Sequence, residues 1–216
     1  MDIEKKTFFL VDLDGTLSAY REGALLPDKL FLGNFLFPVI RDQMMKNGWK
    51  RNEAENAIRK LTEENIFWDY SDFIAEFNLP ISETLMLMLK WHQENIVPCN
   101  DGIACIKRLH AAGKKLFVMS NNPYLGCLFK LQAVGLADNF FSSPYFCRIF
   151  GTNVLRGCKS QLAVWKRALA QIPASPEDVC VIGDNPREDR DIPEKCGILS
   201  THLFIRDKII HGVERI

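Results

Sequence analysis

The 216-residue sequence has no net charge, with 27 Lys and Arg against 27 Asp and Glu. That balance removes the global positive field expected of a nucleic-acid binder, so a cation meant for an anionic ligand has to be local and aimed. Nor is there any apolar stretch near the roughly 20 residues that span a bilayer. The N-terminal MDIEKKTFFLVDLDG carries acids and ends its apolar run at Asp12, unlike a signal peptide. Neither a nucleic acid nor a membrane is expected as a partner. The seven cysteines contain no C-x-x-C pair, which excludes the usual zinc-finger and thioredoxin patterns. Scattered free thiols fit a reducing compartment, and a cytoplasmic location is expected. No repeat or low-complexity linker is present. What is there, 47% hydrophobic and 25% charged residues, suffices for a substantial core in one large domain or a core domain with an insert.

Four short runs share one shape: TFFLVD at 7–12, KLFVMS at 115–120, VCVIGD at 179–184 and LSTHLFI at 199–205. Each is β-rich and largely apolar on both faces, as central parallel strands covered by helices on both sides must be. A weaker fifth candidate lies near Asn139–Phe141. Helical patterns separate the runs: residues 101–112 align Ile103, Ile106 and Leu109, and residues 160–171 align Leu162, Trp165 and Leu169. The alternation predicts an α/β fold, a Rossmann-like parallel sheet with helices on both faces. The stretch from about Ser18 to Val97 breaks that rhythm. It is rich in Phe, Leu, Met and Trp, lacks strand signals, and contains two helical patterns, DQMMKNGWKRNEAENAIRKLTEE and ISETLMLMLKWHQEN. A crossover of that length predicts an inserted all-helical subdomain over 18–96, with 1–17 and 97–216 forming the core.

Ligands of an open parallel sheet bind beyond the carboxyl ends of its strands. Three of those ends are polar: Asp12-Leu13-Asp14-Gly15-Thr16, Ser120-Asn121-Asn122, and Gly183-Asp184 followed by Asp189. Asp12 and Asp14, two apart, point to the same side of a continuing strand, with Gly15 turning the chain. Two such carboxylates repel unless a cation neutralises them, and a hard divalent ion with oxygen ligands, Mg²⁺, is the natural partner, with Asp184 completing its shell. The four histidines show no ligand spacing and fall at no strand end, so none is given a catalytic role.

With these residues in view, the sequence resembles the haloacid dehalogenase-like (HAD) superfamily of phosphohydrolases. DLDGT is similar to its first motif, VMSNN to the second, Lys159 in GCKSQ to the third-motif lysine, and GDNPRED to the fourth, in the family's order; the insert matches the position of its helical cap. The resemblance implies a Mg²⁺-dependent phosphatase acting on a small phosphorylated metabolite. Asp12 would be the nucleophile that forms an aspartyl-phosphate, and Asp14 the general acid and then base. Ser120 with the amide of Asn121 would hold a phosphoryl oxygen, and Lys159 would neutralise charge on the transferring group. Asp12, Asp14 through its carbonyl, and Asp184 would hold the metal, with Asp189 as an outer acid of the same site. Asp191 competes with Asp189, and the distance from Asp184 to Gly197 favours Asp189. The family usually has Pro after the lysine, where this chain has Ser160. Family dehalogenases lack an acid at the position of Asp14, because a halide leaves without a proton, so Asp14 points to phosphoryl transfer. Tyr20 and Arg21, just after the first motif, are candidate substrate contacts. A phosphomutase of the same superfamily and a non-catalytic or receiver-like phosphate-binding module are the competing readings.

Overall fold

A computed structural model describes residues 5–22, 24, 36–138 and 143–205. Five parallel strands form its central sheet: β1 (Phe8–Val11), β4 (Lys115–Met119), β5 (Arg148–Phe150), β6 (Val179–Gly183) and β7 (Ser200–Leu203), in the order β5-β4-β1-β6-β7. The four strong strand signals of the sequence are thus strands. The weaker candidate at 139–141 falls outside the described residues, and the remaining strand is Arg148–Phe150.

Both faces of the sheet are dry. Phe9, Val11, Leu116, Val118, Cys180 and Ile182 pack on α5 (Asn100–Ala111) and α6 (Tyr124–Ala133). Leu10, Phe117, Met119, Val179 and Val181 pack on the opposite face with Val164, Trp165 and Ala168 of α8 (Leu162–Leu169). Alternation along each strand sends successive side chains to opposite faces, and both are apolar because both are covered. Register does the rest. Val11 pairs with Val118 on one side and with Ile182 on the other, so just beyond them the three strands release Asp12, Ser120 and Asp184 side by side. The order of the sheet reverses at β1, which makes this the switch point where open α/β sheets bind ligands.

Among the described residues, four helices lie within the stretch 18–96: α1 (Phe37–Lys46), α2 (Arg51–Glu64), α3 (Tyr70–Glu76) and α4 (Ile81–Asn95). They share an apolar cluster of their own, including Phe37, Ile40, Met44, Ile58, Phe73, Met88 and Leu89. The Met and aromatic side chains of this stretch are therefore packing groups. Phe129 of α6 is buried in the same cluster and joins the helices to the sheet domain. Filling that position is worth about 1.5–3 kcal/mol for a fully buried aromatic side chain. Two details differ from the sequence reading. The pattern read as one helix over 42–64 is two helices, interrupted at Asn47 and Gly48, whose φ of +92° suits only glycine. The stretch also holds strands: β2 (Ser18–Tyr20) pairs antiparallel with β3 (Ile96–Pro98), Ser18 opposite Pro98 and Tyr20 opposite Ile96. Three-residue strands carry too little alternation to be read from sequence. The ribbon brings both ends of the insert together beside the site.

Two buried titratable groups sit where the helices meet α6. Asp69 caps α3 through the Tyr70 N–H (2.7 Å) and accepts from the Leu125 N–H of α6 (3.2 Å) and from Asn153 Nδ2 (3.1 Å). Burial pushes its carboxyl up to about 6. His92 of α4 stacks on Phe129 with centroids 5.3 Å apart, and burial pushes its imidazole down to about 4. The two act oppositely on stability. As pH rises through about 6, the folded state loses the advantage of keeping Asp69 protonated, which is fully present below the ordinary 3.8. As pH falls from the ordinary 6.5 through about 4, it loses the advantage of keeping His92 neutral. Each is worth on the order of 3 kcal/mol across its window. Urea unfolding at pH 4 to 6.5 should therefore show a steeper rise of stability with pH in Asp69→Asn than in wild type. His92→Phe should show a shallower rise or a fall; slopes unchanged in both variants would contradict this account.

Candidate active site

At the end of β1 the chain turns through Leu13–Ser18. Gly15 adopts φ +82° and donates its N–H to the Ser18 carbonyl at 2.7 Å. Asp12 stays at the strand end, buried, with one carboxylate oxygen on Lys159 Nζ and the other accepting from Thr16 Oγ1 at 3.2 Å. Lys159 Nζ also meets Asp189 Oδ1 at 2.7 Å. The second Asp189 oxygen accepts from the backbone N–H groups of Asp184 (3.2 Å) and Asn185 (3.0 Å). This packing needs Gly183, because a Cβ there would lie 2.3 Å from the Asp189 carboxyl. Asp191 is instead on the surface, paired with Arg190 at 2.9 Å. Carboxylate oxygens of Asp12, Asp184 and Asp189 all lie within 4.8 Å of one another.

Three carboxylates against one ammonium leave an excess of negative charge. Burial, with Asp189 and Asp184 beside it, pushes the Asp12 carboxyl well above the ordinary range in spite of Lys159. Burial opposes the charge on Lys159, yet Asp12 and Asp189 raise it above the usual lysine value. Hard oxygen donors carrying surplus negative charge suit a divalent cation, and Asp12, Asp184 and Asp189 are the side chains that could hold one.

Asp14 faces elsewhere. Its carboxylate is outside that cluster and takes both oxygens to Lys130 Nζ, at 2.6 and 2.7 Å. Asn122 Nδ2 donates to it at 2.6 Å and Ser18 Oγ at 3.3 Å. Burial alone would push the Asp14 carboxyl up; Lys130, Asn122 and Ser18 outweigh it and hold Asp14 below the ordinary range. The Asp14 carboxylate thus turns away from that of Asp12, and each acid has its own lysine. Lys130 was not found from sequence. The one available signal is that it is the only charged residue in the apolar helix YLGCLFKLQA.

The second-motif residues form the wall between the two pairs. Ser120 Oγ accepts from the Asn122 N–H (3.2 Å) and from Asn122 Nδ2 (2.9 Å). The Asn121 side chain is a brace: its Nδ2 donates to Glu188 at 2.9 Å and its Oδ1 accepts the Lys159 N–H at 2.7 Å. Lys159 precedes α8, which starts only at Leu162, and its carbonyl accepts the Trp165 indole N–H at 2.8 Å. A proline after Lys159 is thus not needed to hold the turn. Tyr20 lies on β2 with its hydroxyl 3.3 Å from Lys130 Nζ, whereas Arg21 is exposed just beyond the strand.

The profile of haloacid dehalogenase-like hydrolases matches residues 7–194. No curated protein matches the sequence significantly. Among solved structures, a HAD phosphatase of Thermococcus onnurineus is 22% identical, with a TM-score of 0.54 over 94% of this chain and 87% of that one. A HAD-family enzyme of Bacteroides thetaiotaomicron, solved with magnesium and inorganic phosphate, is 12% identical, with a TM-score of 0.54 over 97% of this chain and 100% of that one. At such identities the two likenesses speak for the fold. The profile covers most of the chain and contains all three polar strand ends and Lys159: the chain belongs to the haloacid dehalogenase-like hydrolase family, and it is an enzyme.

Proposed function

We propose that the protein is a Mg²⁺-dependent phosphatase that hydrolyses a small phosphomonoester through an aspartyl-phosphate on Asp12. The observation that carries this is the pairing of a buried nucleophile-to-be, Asp12, with one lysine and two further acids, while Asp14 stands beside it in a separate, charge-balanced pair.

Asp12 attacks phosphorus, the bond to the leaving oxygen breaks, and the departing alkoxide takes a proton from Asp14. In the second half Asp14 takes a proton from water, which attacks the aspartyl-phosphate, releases phosphate and restores Asp12. Lys130 holds Asp14 in the ionised form that serves this second half. The dianionic phosphoryl group entering beside it pushes Asp14 toward the protonated form needed in the first. Ser120 and the amide of Asn121 hold a phosphoryl oxygen, and Lys159, fixed by Asp189, faces the growing charge. A bound Mg²⁺, held by Asp12, the Asp14 carbonyl and Asp184, with Asp189 behind them, would offset repulsion between carboxylate and phosphate. Residues 1–17 and 97–216 serve as the catalytic core, and 18–96 as a cap that excludes water and selects the leaving group, with Arg21 near its entrance. That division is supported by the separate apolar cluster of α1–α4 and by the ribbon at the insert's two ends. A phosphorylated metabolite in the cytoplasm is the substrate class that fits; the free cysteines and the absence, among the described residues, of a helix long and apolar enough to cross a membrane agree with it.

Phosphate release from p-nitrophenyl phosphate should require Mg²⁺, stop on chelation and return on adding the metal back. Asp12→Asn should abolish it, and turnover at the wild-type rate would exclude the covalent route. Lys159→Met should lower kcat by about 100-fold or more, as loss of an aimed charge at a transferring group does; full activity would remove Lys159 from the mechanism.

A further inference from the structure

Lys130 is nearly inaccessible and reaches the site from α6, 116 residues away in sequence from Asp14. Besides Asp14 it has two further polar neighbours, Asn122 Oδ1 at 3.2 Å and the Tyr20 hydroxyl at 3.3 Å. The contact with Asn122 has a directional consequence. An amide offers an acceptor at one end and two N–H donors at the other. With its oxygen on Lys130, Asn122 turns both N–H bonds away from the lysine, and both are used: one on Asp14 Oδ2 at 2.6 Å, the other on Ser120 Oγ at 2.9 Å. The opposite orientation would set N–H against ammonium and oxygen against carboxylate, unfavourable at both ends. Ser120 Oγ receives a second N–H from the Asn122 backbone, so its lone pairs are engaged. Its hydrogen remains to be given, to the Cys127 sulfur beside it or to an incoming phosphoryl oxygen.

We infer that Lys130 is a positioning residue: its charge sets the orientation of the Asn122 amide, and through that amide makes the Ser120 hydroxyl a donor to the phosphoryl group. The inference rests on the phosphatase reading only in taking Ser120 to touch phosphate. Toward the phosphoryl group Lys130 acts through Asn122, in addition to its pairing with Asp14. The same ammonium binds Tyr20 of the ribbon, so the second-motif loop, the first-motif turn and the base of the insert share one anchor.

The test reads binding of inorganic phosphate by calorimetry in the presence of Mg²⁺. Lys130→Met should weaken it about tenfold, the worth of one hydrogen bond to a charged group, and Asn122→Ala should do the same. In the Asn122→Ala background, Lys130→Met should add less than about twofold, because the route to Ser120 is already gone. Lys130→Gln keeps a donor, one bond shorter, but loses the charge, and serves as the second variant should Lys130→Met not fold. A tenfold loss that persists on top of Asn122→Ala, or Asn122→Ala binding phosphate like wild type, overturns the inference. If wild type binds phosphate and shows this pattern but hydrolyses no phosphomonoester, the inference stands and the phosphatase reading falls.

Discussion

Charge neutralisation at the end of β1 is the constraint on which the rest of the structure turns. Asp12 and Asp14 leave one strand two residues apart; Asp12 is buried, whereas Asp14 keeps about a third of its side chain exposed. An unpaired carboxylate at the position of Asp12 costs several kcal/mol, so it needs a cation with good geometry, and Asp14 has a lysine of its own. The two faces of the sheet supply one lysine each. Lys130 comes on α6, which packs with Phe9 and Val11, and Lys159 comes from the turn before α8, which packs with Leu10 on the other side. The strand order β4-β1-β6 makes this possible, since it sets β1 between the strands whose connections carry those two helices.

The two pairs are not equivalent. Asp14 and Lys130 balance, with Asn122 and Ser18 completing the carboxylate's hydrogen bonds. Around Asp12 the acids outnumber the lysine, and burial, with those acids beside it, drives the carboxyl up. A fold maximising its own stability would remove that surplus. In the reaction proposed above, a cation and a phosphoryl group together would use it at this spot. The insert is tied to the balanced pair through Tyr20, and to α6 through Phe129 and Asp69.

Much of the site was legible in the residues. Asp12, Ser120 and Asp184 each end an apolar run, and the parallel register then forces them together. Spacing to Gly197 already favours Asp189 over Asp191, and packing gives the physical difference: the missing Cβ of Gly183 leaves room for the Asp189 carboxyl, while Asp191 turns to Arg190 in solvent. Lys130 was not legible, because a lysine within an apolar helix reads equally as a side chain that extends to water. Asn121 was expected to offer its backbone amide; that its side chain braces Glu188 and Lys159 depends on a contact between the second and fourth motifs, far apart in sequence.

The sequence by itself determined the α/β class, the place of the helical insert and the acids at the strand ends. Those features follow from local periodicity and from polar residues closing apolar runs, which are properties of neighbours in the chain. Tertiary structure alone decided which cation answers which acid, that Asp14 turns from the carboxylate cluster toward Lys130, and that a short ribbon gathers the insert's ends. These are pairings across more than a hundred residues for the lysines and across most of the insert for the ribbon. Charge neutralisation depends on distance in space, and the zero net charge of the chain holds no record of which opposite charges meet.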